Sequence, residues 1–198
     1  MEVRIKDDSV EVDGYVNAIE RKSKPLHSRI GKFVERIKKG AFKKAIDRND
    51  NIRILLNHDW SHDLGGTKDG NLNLVEDNIG LRARAVIKDS DVIEKARNGD
   101  LVGWSFGFTD RDVDTHDEDG MLTRDVKDLD LYEVSLLDRT KTPAYDGTLV
   151  SVRSDDDIQY HGDACITEVE TRDDSKKESE KPIDYSKYEN MIKEMKGE

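Results

Sequence analysis

Leu101-Val102-Gly103-Trp104-Ser105-Phe106-Gly107-Phe108 sets Val102, Trp104, Phe106 and Phe108 at every second position. Alternate residues of a strand share a face. These four bulky side chains therefore turn to a core, and Ser105 turns away from it between Gly103 and Gly107. Glycines on both sides of a serine leave room for another backbone to come close, as attack on a peptide carbonyl requires. The spacing is not that of the G-x-S-x-G elbow, whose serine sits on a strand-to-helix turn. A small-residue strand packed against a neighbouring element is the plainer reading of the same residues.

Outward from this stretch the chain reads mostly as strands. Val3, Ile5, Val10 and Val12 alternate with polar residues, as in a hairpin with one wet face. Asn71–Val75 and Gly80–Ile87 predict a second pair, and further strands are expected at Ile52–Asn57, Leu122–Val126, Leu129–Leu137 and Thr148–Val152. Phe33–Ile46 mixes helical spacing with the internal Gly40 and predicts two short helices broken there. Asp91–Arg97 predicts another helix, capped by Asp89 or Ser90 and stopped at Gly99. Many strands with a few helices predict an α+β domain, a closed or nearly closed β-barrel-like arrangement of mixed strands surrounded by those helices.

The 198 residues carry 33 Lys plus Arg against 44 Asp plus Glu, a formal charge of −11. Residues 154–198 hold 14 acidic and 7 basic side chains, a net of −7, which leaves −4 for the first 153. A segment containing DDD and RDDSKKESEK cannot bury enough apolar surface to offset its ordering entropy. Residues 1–153 are thus expected to form one domain and 154–198 a flexible acidic tail, with one short helical stripe at Tyr185–Lys196. The acid surplus argues against non-specific nucleic-acid binding, which needs excess Lys and Arg. There is no apolar run of the ~18 residues that a membrane span needs. The single Cys165 cannot form an internal disulfide, which fits a reducing cytosol.

Two more polar groups interrupt apolar strands. Ile52, Ile54, Leu56 and His58 would line one strand face, with the imidazole at the end of the apolar row. Imidazole has the ordinary pKa nearest neutrality and suits a general base. Leu129–Leu137 groups Glu133 with Leu131, Ser135 and Leu137, and sets Tyr132, Val134 and Leu136 on the opposite face. A carboxylate among apolar strand residues is costly unless paired, and an imidazole N–H is a suitable partner. His58, Ser105 and Glu133 are then candidates for base, nucleophile and orienting carboxylate, in an order unlike the common triads. Their plainer readings are a satisfied histidine at a strand end and an edge-strand glutamate. His58-Asp59-Trp60-Ser61-His62-Asp63 also sets two histidines four apart, a spacing that can hold zinc from one helical face. However, it runs into Leu64-Gly65-Gly66-Thr67, a poor helix, and lacks the glutamate of H-E-x-x-H.

Taken in order, the motifs resemble the prohead (capsid-maturation) serine proteases of tailed phages, which are distantly similar to the herpesvirus assembly protease. The resemblance covers about residues 10–153. It rests on Gly40-Ala41-Phe42, Leu55-Leu56-Asn57-His58-Asp59 with Leu64-Gly65-Gly66-Thr67 behind it, and Gly80-Leu81. Trp104-Ser105-Phe106-Gly107-Phe108 and Leu131–Leu137 followed by Pro143-Ala144 complete it. It implies a β-barrel surrounded by helices, with His58 as base, Ser105 as nucleophile and Glu133 as third member. It further implies an endopeptidase that cleaves scaffolding protein or capsid-protein segments, and itself, in the host cytoplasm inside the assembling procapsid. No metal or organic cofactor is implied. The herpesvirus analogy adds a homo-oligomer, and oxyanion donors are expected in the Asp138–Ala144 loop with Arg139. The charge run supports the alternative, a non-enzymatic capsid-assembly or scaffolding factor that docks through its acidic tail.

Overall fold

The computed structural model describes residues 1–28, 31–141, 159–161 and 170–173. The strand expected at Thr148–Val152, the helix expected at Tyr185–Lys196 and most of the expected 154–198 tail lie outside them. The first elements are β1 (Glu2–Ile5), β2 (Val10–Ala18), β3 (Leu26–Ser28), β4 (Gly31–Ile37) and α1 (Ala41–Arg48). Next come β5 (Arg53–Leu56), β6 (Asp59–Gly66), β7 (Leu72–Glu76), β8 (Gly80–Ile87) and α2 (Ser90–Arg97). The 18-residue strands β9 (Leu101–Glu118) and β10 (Met121–Asp138) follow, then the short β11 (Gln159–His161) and β12 (Glu170–Asp173).

Two sheets result. One runs β12-β1-β2-β8-β7 and the other β11-β9-β10-β4-β3, with β5 on β10 and β6 on β5. The expected closed barrel does not form. Among the described residues no strand of one sheet pairs with the other, and β10 shares its second edge between two short parallel strands. Leu122–Val126 takes β4, and Glu133–Leu136 takes β5. The sheets are joined instead by side chains: Val3, Val12 and Leu81 from one share a core with Ile54, Trp104, Phe106 and Leu136 from the other. Both helices pack into that core. Phe42 of α1 meets Phe106 edge-on at 5.4 Å, and the α1 N-terminus is held by Glu76 of β7, which accepts from Gly40 N–H and Lys43 N–H.

The first of the two helices expected around Gly40 is a strand, β4. Its charges find cross-strand partners on β10. Arg36 grips Asp125 through two hydrogen bonds of 2.7 and 2.9 Å, and buried Glu35 accepts from Arg124 at 2.9 Å. The expected strands at 101–108, 122–126 and 129–137 are pieces of one hairpin. Its polar tip closes through Asp119 (φ 58°) and Gly120 (φ 78°), the Asp-Gly pair that a mirror-image hairpin turn prefers.

Candidate active site

β5 and β6 meet in a tight turn. Asn57 (φ 57°) and His58 (φ 61°) both adopt left-handed backbone between the paired Leu56 and Asp59, again the geometry of a mirror-image hairpin turn. His58 therefore stands on the turn rather than at the end of the Ile52–Leu56 row. Left-handed conformations cost non-glycine residues roughly 1 kcal/mol or more each, and three hydrogen bonds to β10 hold this pair in place. Asn57 N–H donates to Leu136 O at 2.8 Å. Asp138 N–H donates to Asn57 Oδ1 at 3.0 Å, and His58 N–H donates to Ser135 Oγ at 3.1 Å.

A β-bulge aims Glu133. Leu131 lies opposite Phe108 and Glu133 opposite Gly107, so two steps along β10 match one along β9 and Tyr132 is the extra residue. Leu131 consequently joins the core while Glu133 takes the opposite face with Ser135. The shared face expected for Leu131 and Glu133 is not kept. Glu133 has no exposed side-chain surface, and its carboxylate is satisfied within the protein. Oε1 lies 2.8 Å from His58 Nδ1, and Oε2 accepts from Ser135 Oγ at 2.6 Å.

Ser105 lies directly opposite Ser135 in the β9–β10 register. Side chains so placed share a face with Cβ atoms about 5 Å apart. Ser105 thus neighbours Ser135 on the face where His58 and Glu133 meet, while Trp104, Phe106 and Phe108 fill the core as expected. A Cβ at Gly107 would come 2.5 Å from Glu133 Oε1. At that glycine the room expected for an approaching backbone is occupied by the chain's own carboxylate. Ser135, bonded to Glu133 and to the His58 backbone, is the residue that sequence reasoning missed. Its one signal was its place two residues after Glu133 on the same face.

Asp138 anchors the turn from behind. Burial works to raise its carboxyl, but hydrogen bonds from Thr140 and Asn57 and the Lys95 ammonium at 3.2 Å outweigh it, lowering the pKa from 3.8 to about 2. The folded value is below the unfolded one. Its stabilisation is therefore fully present above the unfolded pKa of 3.8 and is lost as pH falls through about 2. Asp138→Asn is expected to cost about 2 kcal/mol in urea unfolding near neutral pH, and the gap between the two proteins closes as acid approaches pH 2. A gap that stays constant across this window would refute the linkage.

The two histidines weighed as metal ligands turn to different partners. His58 faces Glu133, and His62 Nε2 lies 3.4 Å from Asp89 Oδ1, with Asp91 close by. Of these acids, Asp89 already caps α2 by accepting from Val92 N–H, and Asp91 lies 3.4 Å from Lys95. Arg139, expected near an oxyanion, donates to Gly99 O at 3.0 Å. The expected loop from residue 142 onward lies outside the described residues.

Residues 1–161 match the family model of the caudovirus prohead serine protease. The chain belongs to that family. No curated protein and no solved structure matches it. The prohead-protease match takes in every element from β1 to β11, including β5–β6, β9 and β10, which position His58, Ser105 and Glu133. Among the described residues of this prohead protease family member, no helix is long and apolar enough to cross a membrane.

Proposed function

We propose that this chain is a serine endopeptidase that cleaves scaffolding protein or capsid-protein segments, and itself, inside the procapsid assembling in the host cell. The proposal includes the distant kinship with the herpesvirus assembly protease, with residues 1–153 as the protease domain. The observation that carries it is the linked set His58–Glu133–Ser135 lying on the strand face of Ser105.

Ser105 Oγ attacks the scissile carbonyl carbon while His58 Nε2 takes the hydroxyl proton. The same proton goes to the leaving amine as the C–N bond breaks, leaving an acyl ester on Ser105. Water then attacks the ester with His58 again as base, and Ser105 regains its proton. Glu133 accepts from Nδ1–H, which keeps the lone pair on Nε2, and it stabilises the imidazolium formed during attack. Ser135 is a positioning residue. It occupies Oε2, so that Oε1 serves the imidazole, and it holds the His58 backbone N–H. No metal or organic cofactor has a step in this scheme.

Incubating the purified chain with the capsid and scaffolding proteins of its phage is expected to shorten one of them, and the chain itself, over time on a gel. All three remaining intact while shells still assemble would favour the non-enzymatic assembly factor. A finer prediction concerns Gly107→Ala, whose new Cβ displaces Glu133 Oε1. The cleavage rate should fall about a hundredfold, the usual cost of an ångström-scale misplacement, with cooperative thermal unfolding retained. An unaltered rate in the folded variant would mean that the carboxylate's position is unimportant.

A further inference from the structure

The outer edge of β9, the strand that carries Ser105, is occupied by the chain itself. β11 pairs with it antiparallel, Gln159 opposite Phe108, Tyr160 opposite Gly107 and His161 opposite Phe106. The direction of β11 therefore leads from Phe108 toward Ser105. Among the described residues no other strand pairs with that edge, since the opposite edge of β9 is taken by β10. Ser105 itself has no exposed surface in this arrangement. An acyl-transfer nucleophile has to be reached by an extended peptide, and an available strand edge is the surface on which such a peptide gains main-chain hydrogen bonds. The two ladder positions nearest Ser105 on its Phe108 side, Phe106 and Gly107, are ones that β11 fills.

We propose that this edge of β9 is where an extended substrate peptide adds as an antiparallel strand, and that Gln159–His161 holds it as an intramolecular competitor. This rests on the protease reading above. A strand on the same chain competes intramolecularly, at an effective concentration that does not fall on dilution. A free peptide therefore binds only the fraction of molecules in which β11 has left. If the edge is held nine-tenths of the time, apparent affinity is weakened about tenfold. The chain is then a protease that holds itself closed until substrate segments are locally concentrated, as they are inside an assembling shell.

The test uses the full chain carrying Ser105→Ala, with and without the pair Tyr160→Pro and His161→Pro. Successive strand amides point to opposite sides, so the two prolines remove a ladder donor whichever amide faces β9. The probe is a dye-labelled peptide copying residues 154–168, read by fluorescence anisotropy. The proline chain is expected to bind it at least about tenfold more tightly. Equal affinity for the two chains, or binding to neither, would overturn the proposal. Should the proline chain not fold, amide exchange at Phe106–Phe108 in the Ser105→Ala chain gives the second reading. Saturating peptide strips protection from Gln159–His161 and leaves it unchanged at Phe106–Phe108 if it replaces β11 strand for strand, whereas protection retained at Gln159–His161 refutes the proposal. A small fluorophosphonate needs no strand pairing. Labelling of Ser105 in the otherwise unaltered chain, together with equal peptide affinities, removes the competitor and keeps the protease. No labelling of Ser105 even in the chain that carries only the two prolines, together with shifted affinities, removes the protease and keeps the docking edge.

Discussion

Ser105→Ala is expected to lower kcat for capsid-protein or scaffold cleavage on the order of a million-fold, because members of a triad act as a unit and the loss of one forfeits nearly the whole effect. The substitution removes a single oxygen from a buried position on β9 and leaves the Glu133–Ser135–His58 contacts in place. Thermal unfolding should therefore stay close to that of the parent chain. Rate and stability are separated by this design: a collapsed rate in a protein that still melts cooperatively reports chemistry rather than folding. Self-shortening should stop along with substrate cleavage. Ser105→Ala that cuts at even a tenth of the parent rate would show that another group is the nucleophile.

Glu133→Gln is expected to lower kcat about ten-thousand-fold, the scale seen when the carboxylate of a triad becomes an amide. The amide has nearly the same shape and fits the same pocket beside Gly107. Its NH2 group, turned toward His58, favours the tautomer whose proton is on Nε2, and that nitrogen can then no longer accept from Ser105. Ser135 Oγ donates to Glu133 Oε2 at 2.6 Å and would keep the amide oxygen on its own side, which enforces the unfavourable orientation. The measurement is kcat in the folded variant alongside its melting curve. A rate within tenfold of the parent would reduce Glu133 to a structural carboxylate.

Much of the site could be read from one-dimensional pattern. Strand alternation at 101–108 placed Trp104, Phe106 and Phe108 in the core and Ser105 away from it, as found. The cost of an unpaired carboxylate pointed Glu133 to an imidazole, and the two lie in contact. What escaped depends on partners remote in sequence. The bulge at Tyr132 exists only in the register between β10 and β9, and nothing within Leu129–Leu137 distinguishes a bulged strand from a regular one. The left-handed turn at Asn57–His58 is held by Leu136, Ser135 and Asp138, about eighty residues away. The residue spacing over Phe33–Ile46 predicts a helix where β4 lies, whereas Glu35 and Arg36 each meet an opposite charge on β10. The open sheets escaped for the same reason, since strand count reveals neither which edges pair nor that β10 divides one edge between β4 and β5.

Phosphonylation followed by peptide mapping addresses the nucleophile itself. The full chain treated with a fluorophosphonate should carry a single label on Ser105, and His58→Ala should abolish it because the base that activates the hydroxyl is gone. A label on Ser135, or a chain that cleaves its substrates while Ser105 stays unmodified, would contradict the assignment of Ser105 and His58 as nucleophile and base.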